Sequence, residues 1–183
     1  GHGGWDPGKV GTDNILEKDI NLAIAGKVQS YLEQADAYVL MTRVDDTALG
    51  DKKSQDMRGR KEIANDTQSD IFVSIHQNSF TKESVKGAQV FYFDNSDHSK
   101  LLADFIQLKL NEFVQPDSTR VAKPNKNYYV LRQTIIPAVI VECGFLTNYE
   151  EKNLLLQDEY QDRIAWAIYT GILEYFKNYD TVE

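Results

Sequence analysis

Residues Asp70 to Ser79 read D-I-F-V-S-I-H-Q-N-S. Ile71, Phe72, Val73 and Ile75 are β-branched or aromatic, and the run stops at polar residues. That pattern predicts a short buried strand. His76 lies at its carboxyl end. Open α/β sheets place their chemistry outside the carboxyl ends of the strands. Two other stretches are expected to converge there. One is the opening G-H-G-G, residues 1–4, with Glu17 behind it. The other is the late apolar run P-A-V-I-V-E-C-G, residues 137–144, which carries Glu142. Two histidines and two glutamates at one sheet edge point to a metal hydrolase.

Working outward, residues 1–11 are glycine-rich and read as a loop. Residues 17–35 read as a helix, with Ile20, Ile24, Val28 and Leu32 forming one apolar stripe. Residues 38–44 (YVLMTRV) predict a strand, and residues 45–55 a polar surface loop. A second helix is expected over 56–67, with Asp56 as its N-cap. Beyond the His76 strand, residues 87–94 predict another strand. Residues 95–114 predict a helix carrying Leu102, Ile106, Leu110 and Phe113 on one face, capped by Ser96 or Asp97. Residues 116–127 read as loop with a short strand at 119–122, and 128–133 as one helical turn. A buried strand is expected at 138–142. A final helix over 158–178 carries Ile164, Ile168, Ile172 and Phe176. Strands alternating with helices argue for an α/β sandwich around a largely parallel sheet. No repeat, low-complexity tract or interdomain linker breaks the pattern, so one domain is expected over 1–183.

Composition excludes several functions. A length of 183 residues suffices for one domain with a substantial core. The net charge of -8 argues against a nucleic-acid partner, whose phosphates need cations, and against steering to an anionic membrane. No apolar run approaches the roughly 18 to 20 residues of a membrane span. Cys143 is the only cysteine, so an intrachain disulfide is excluded while the compartment stays open. No secretory leader is visible, and the start at Gly1-His2 reads as a processed or trimmed chain.

A catalytic zinc site takes three protein ligands from histidines and carboxylates and leaves a fourth position open. His2, Glu17 and His76 fit that inventory. A further carboxylate is needed to move protons, and Glu142 on a neighbouring strand is the candidate. Each residue alone has a plainer reading. A strand histidine is commonly structural, Glu17 suits the first turn of any helix, and a glutamate at a strand end is commonly solvated. The combination carries the argument: of three histidines, two fall in a glycine loop or at a strand end. The third, His98, sits in a polar stretch and receives no role. No H-E-x-x-H, P-loop or dinucleotide fingerprint occurs, nor a G-x-S-x-G elbow. Cys143, in an apolar run, reads as a buried thiol. The ten tyrosines are scattered, and packing is their default reading.

Six ordered blocks then carry a resemblance. They are G-H-G-G-W-D-P-G, L-E-K-D-I-N-L, M-T-R, M-R-G-R-K-E-I-A-N, F-V-S-I-H-Q-N-S and V-I-V-E-C-G-F-L-T-N-Y-E-E. Together they resemble the zinc-dependent N-acetylmuramoyl-L-alanine amidases of bacterial cell walls, over essentially the whole chain. The resemblance implies a three-layer α/β/α sandwich around a mixed sheet of about six strands. It implies Zn2+ held by His2, Glu17 and His76, with Glu142 as acid/base. It implies cleavage of the amide between N-acetylmuramic acid and L-alanine of the peptidoglycan stem, with Asn78, Gly87 and Arg132 flanking the substrate. It also implies extracytoplasmic action. K-G-A-Q-V-F-Y-F, S-T-R-V-A-K and the last helix look most like the germination-specific spore-cortex branch. No wall-binding repeat is seen, so targeting is expected to come from removed segments, from a partner or from the groove itself, and a protein activator or targeting partner is among the expectations. The family's first strand and the D-P ahead of G-H-G-G would precede Gly1. The alternatives are a non-catalytic peptidoglycan- or partner-binding relative, and a zinc hydrolase acting elsewhere on the stem peptide.

Overall fold

The computed structural model describes residues 1–94 and 96–181. Six helices, α1 (Glu17–Gln34), α2 (Lys53–Asp66), α3 (Asp97–Phe113), α4 (Tyr129–Gln133), α5 (Tyr149–Leu155) and α6 (Asp158–Lys177), are interleaved with four strands, β1 (Phe72–Asn78), β2 (Gln89–Tyr92), β3 (Lys123–Pro124) and β4 (Ala138–Phe145). The strands lie in the order β1-β4-β2-β3. β4 pairs parallel with β1 and antiparallel with β2, and β3 runs parallel to β2. The sheet is therefore mixed, as the resemblance implies.

β4 sets the layers. All eight of its residues are buried. Its period-two alternation sends Val139, Val141 and Cys143 into a large core shared with α1, α3 and α6. Ala138 and Ile140 join a smaller cluster on the opposite face with Leu131 of α4, Phe72 and Tyr128. α2 packs against α4 on that second face. The result is three layers, helices covering both faces of the sheet.

Five expectations need correction. Four strands are found among the described residues, against about six. The 38–44 segment enters no ladder, with Tyr38 and Val44 exposed. A groove of about 510 Å3 is lined both by this segment and by residues 69–75 at the outer edge of β1. Asp56 is not an N-cap: α2 begins three residues earlier, at Lys53. The short strand expected at 119–122 forms instead at Lys123–Pro124. β4 continues past Glu142 to Phe145, so Glu142 stands within the strand. Ser96 caps α3, its side chain accepting from the Ser99 amide, while Asn95, where that helix was expected to begin, lies outside the described residues.

α3 and α6 cross at Gly171. A β-carbon built there would come within 2.6 Å of the Ile106 Cα, a backbone atom that cannot turn aside. Alanine normally gains about 1 kcal/mol over glycine in a helix. Here overpacking of roughly 1–3 kcal/mol opposes it. Gly171→Ala is expected to lower the thermal midpoint by several degrees in a calorimetric scan. An unchanged or raised midpoint would show that the helices separate freely.

Candidate metal centre and its groove

The loop of residues 1–8, α1 and β1 meet at one point. Glu17 opens α1, and both its oxygens are engaged. Oε1 accepts from the Gln77 amide at 3.0 Å and lies 2.9 Å from His76 Nδ1; Oε2 accepts from the Lys9 amide at 2.7 Å and lies 3.4 Å from His2 Nε2. One carboxylate thus ties the loop, α1 and β1 together. His2 Nδ1 sits 2.8 Å from Asp6 Oδ2, which turns Nε2 toward Glu17. A β-carbon at Gly8 would strike Glu17 Oε2 and His2 Cδ2, at 2.6 and 2.7 Å, so only glycine lets the loop fold over the pair.

His2, Glu17 and His76 each offer one ligand atom, and those atoms all lie within 4.8 Å of one another. Two imidazole nitrogens and a carboxylate form a donor set suited to zinc. Asp6, orienting His2 from behind, supplies the outer hydrogen bond such ligands normally carry. Asp6 was missed in the sequence, although it stands only four positions from His2.

Parity along the strands brings the fourth residue in. His76 and Glu142 are register partners across β1 and β4. Both line a groove of about 560 Å3 with His2, Glu17, Asn78, Lys9, Lys53, Tyr128 and Tyr129. Glu142 is only 7% exposed. Its Oε1 accepts from the Tyr128 hydroxyl at 3.5 Å, and its Oε2 is buried without a partner. Of the expected substrate residues, Asn78 lines this groove. Gly87 and Arg132 do not. The Gly87 amide is buried and donates to Glu151 Oε1, and Arg132 is exposed on α4, the helix whose Leu131 fills the core.

Electrostatics separate the two glutamates. Burial works against the charge on Glu17, yet hydrogen bonds from His2 and His76 outweigh it and hold the carboxyl well below the usual range. Burial likewise opposes protonation of His2, but Glu17 and Asp6 raise its pKa. His76 is pushed down to about 4, chiefly by burial. Glu142 is pushed up to about 8, by burial and then by the Glu17 charge. Two nearby carboxyls with values driven apart are the usual mark of divided roles. Cys143 is fully buried and its thiol is pushed upward by that burial, which removes it as a nucleophile. His98 stacks on Tyr179 with ring centroids 4.4 Å apart, far from any cluster of this kind.

A mixed α/β sheet carries a two-histidine, one-glutamate cluster that could hold a metal ion and a buried glutamate in the same groove, the residue inventory of a metal hydrolase. The chain belongs to the N-acetylmuramoyl-L-alanine amidase family (Amidase_3), whose profile matches residues 1–174. It is 37% identical over 184 residues to the germination-specific N-acetylmuramoyl-L-alanine amidase of Bacillus subtilis, covering 96% of this chain and 77% of that protein. The fold superposes with a TM-score of 0.93 on the CwlD amidase from Clostridioides difficile, solved in complex with the GerS lipoprotein, at 40% identity over 97% of this chain and 95% of that one. The catalytic domain of CwlV from Bacillus (Paenibacillus) polymyxa var. colistinus superposes with a TM-score of 0.83 at 34% identity, over 97% of this chain and 94% of that one. The protein is an enzyme of this family, a cell-wall amidase.

Proposed function

We propose that the chain is a zinc-dependent amidase, acting as one catalytic domain over residues 1–183. It cleaves the bond between N-acetylmuramic acid and L-alanine in spore-cortex or cell-wall peptidoglycan. One observation carries the reading: the His2, Glu17 and His76 donors and the partnerless Glu142 carboxyl line a single groove. His2, Glu17 and His76 would hold the ion, which when bound supplies Lewis-acid polarisation and a water of lowered pKa.

The residues of the chain do the rest. Glu142 takes a proton from the attacking water and returns it to the departing L-alanine nitrogen, so one carboxyl serves both halves of the reaction. In the metal-free chain burial raises its pKa, which suits the second half of the reaction, where the protonated carboxyl gives its proton to the leaving nitrogen. Tyr128, at 3.5 Å, orients the Glu142 oxygen. Asn78, on the bulged end of β1, lies on the groove wall where the stem peptide would pass. Action outside the cytoplasm follows from the polymer it cuts. The spore-cortex role is supported by the likeness to the Bacillus subtilis germination enzyme, and a protein partner by the C. difficile relative solved with a lipoprotein.

Digestion of purified peptidoglycan with the zinc-loaded protein tests the reading. Released peptides beginning with L-alanine, together with intact glycan, are the expected products by mass spectrometry. Peptides cut elsewhere in the stem would replace this reading with the other zinc hydrolase. Stoichiometric zinc and binding with no cleavage would favour the non-catalytic relative.

A further inference from the structure

Two sequence blocks, M-T-R and M-R-G-R-K-E-I-A-N, have so far done no chemistry. The structure places an arginine of each beneath the glycine loop that carries His2. Arg60 Nη2 donates to the His2 carbonyl at 2.8 Å. Arg43 Nη2 donates to the Gly1 carbonyl at 3.4 Å and to the Lys18 carbonyl at 2.6 Å. Lys18 Nζ donates to the Gly4 carbonyl at 2.8 Å. The remaining carbonyl, on Gly3, is taken by the Asp6 amide at 3.1 Å. Three cations therefore hold three of the four carbonyls of G-H-G-G.

All three are buried, at 5 to 8% exposure. Each is anchored on its far side. Arg60 grips Asp56 at 2.7 and 3.1 Å through Nε and Nη2, and reaches Thr42 Oγ1 at 3.1 Å. Asp56 in turn accepts from the Leu49 amide at 2.9 Å. Arg43 donates to the Asp45 carbonyl at 2.9 Å. Lys18 pairs with Asp46 at 2.6 Å, and Asp46 also accepts from the Gly4 amide.

The loop needs this support. His2, Gly3 and Gly4 have φ of 58, 138 and 57 degrees, three successive residues in the left-handed half of the map. A histidine there is strained by roughly 1–3 kcal/mol and persists only where its surroundings fix it. A plain buried ion pair between Arg60 and Asp56 would explain stability alone. It would not explain why the same Nη2 also reaches the His2 carbonyl, or why Arg43 and Lys18 converge on the same four residues.

We infer that Arg43, Arg60 and Lys18 form a cationic cradle that positions the His2 backbone and thereby sets the affinity of the metal centre. They are positioning residues: they act through the backbone of a ligand. This inference rests on the zinc reading above.

The test is zinc affinity, measured with a competing chelator on the wild type and on Arg60→Lys, Arg60→Gln and Lys18→Met. Thermal midpoints in chelator identify the variants that fold. Arg60→Lys keeps the charge but loses the fork: a single nitrogen cannot replace the three that hold both Asp56 oxygens, Thr42 Oγ1 and the His2 carbonyl together. Folded variants are expected to bind zinc about 10- to 100-fold more weakly, the range typical of lost outer-shell support. The Co2+-substituted forms should show altered visible absorption. A folded variant with wild-type zinc affinity and an unaltered Co2+ spectrum would overturn the cradle, whatever its midpoint. If Arg60→Gln fails to fold, Arg60→Lys and Lys18→Met decide. A wild type that takes up no zinc would overturn the metal reading itself, and the cradle with it.

Discussion

Glu142→Gln is expected to reduce peptidoglycan hydrolysis by about 100- to 10,000-fold, the usual contribution of a positioned acid/base, with zinc still bound. Glutamine matches the shape and can accept the Tyr128 hydroxyl, but it cannot carry a proton between water and leaving group. Steady-state turnover and metal content on the same preparation check both halves. Activity within a few-fold of wild type would remove Glu142 from the mechanism. A second readout follows from its burial. The carboxyl is pushed up to about 8 in the folded chain and returns to the ordinary carboxylate value on unfolding. Between those values the native state binds more protons than the unfolded one, so stability falls as pH rises. Metal-free wild type and Glu142→Gln should be similarly stable near pH 4. At pH 9 the variant should be the more stable, by about 1 kcal/mol or more. Parallel stability curves would mean that the carboxyl is not held in its neutral form.

His76→Ala is expected to abolish zinc binding, and with it both activity and the stabilisation that the ion confers. Three donors cannot become two without loss of a tight catalytic site. An ion that binds only the folded chain at a hundred times its dissociation constant adds about 2.7 kcal/mol, which for a domain of this size is roughly 5 to 10 °C in thermal midpoint. Wild type should therefore lose that increment on chelation and regain it with zinc. His76→Ala should melt at one temperature with or without zinc. Stoichiometric zinc on the variant would show that the centre uses another ligand. The same experiment probes the fold, because Glu17 and His76 join the start of α1 to the end of β1, 59 residues apart in sequence.

Much of this site could be read from the chain because apolar runs and loop chemistry are local properties. D-I-F-V-S-I-H and P-A-V-I-V-E show as apolar, β-branched runs that reach a polar residue, which marks two buried strands; that His76 and Glu142 share a face follows from the register of β1 on β4. The stripes of α1, α3 and α6 were legible for the same reason at period 3.6. What escaped depended on partners distant in sequence. The 38–44 segment has the composition of a strand, but a ladder needs a neighbour, and none of the described residues provides one. Asp56 looked like a cap because caps and buried ion pairs draw on the same residue types; Arg60, one turn later, claims it instead. Gly87 and Arg132 were expected beside the substrate from the resemblance alone; neither is among the residues lining the groove, the Gly87 amide donating to Glu151 and Arg132 lying exposed on α4. α5 was missed although Asn148 and Glu151 spell a cap: the Asn148 side chain accepts from the Glu151 amide at 3.0 Å.

β4 also bears on how such a chain can diverge. Val139, Val141 and Cys143 answer to the packing beneath α1, α3 and α6, whereas Ile140 and Glu142 line the groove. Adjacent positions on one strand are therefore filtered by different pressures: Val141 and Cys143 by whether the chain persists in the folded state, Glu142 by whether the folded chain turns over substrate. A relative that kept the architecture but changed the chemistry would be expected to differ at 142 while keeping apolar residues at 141 and 143.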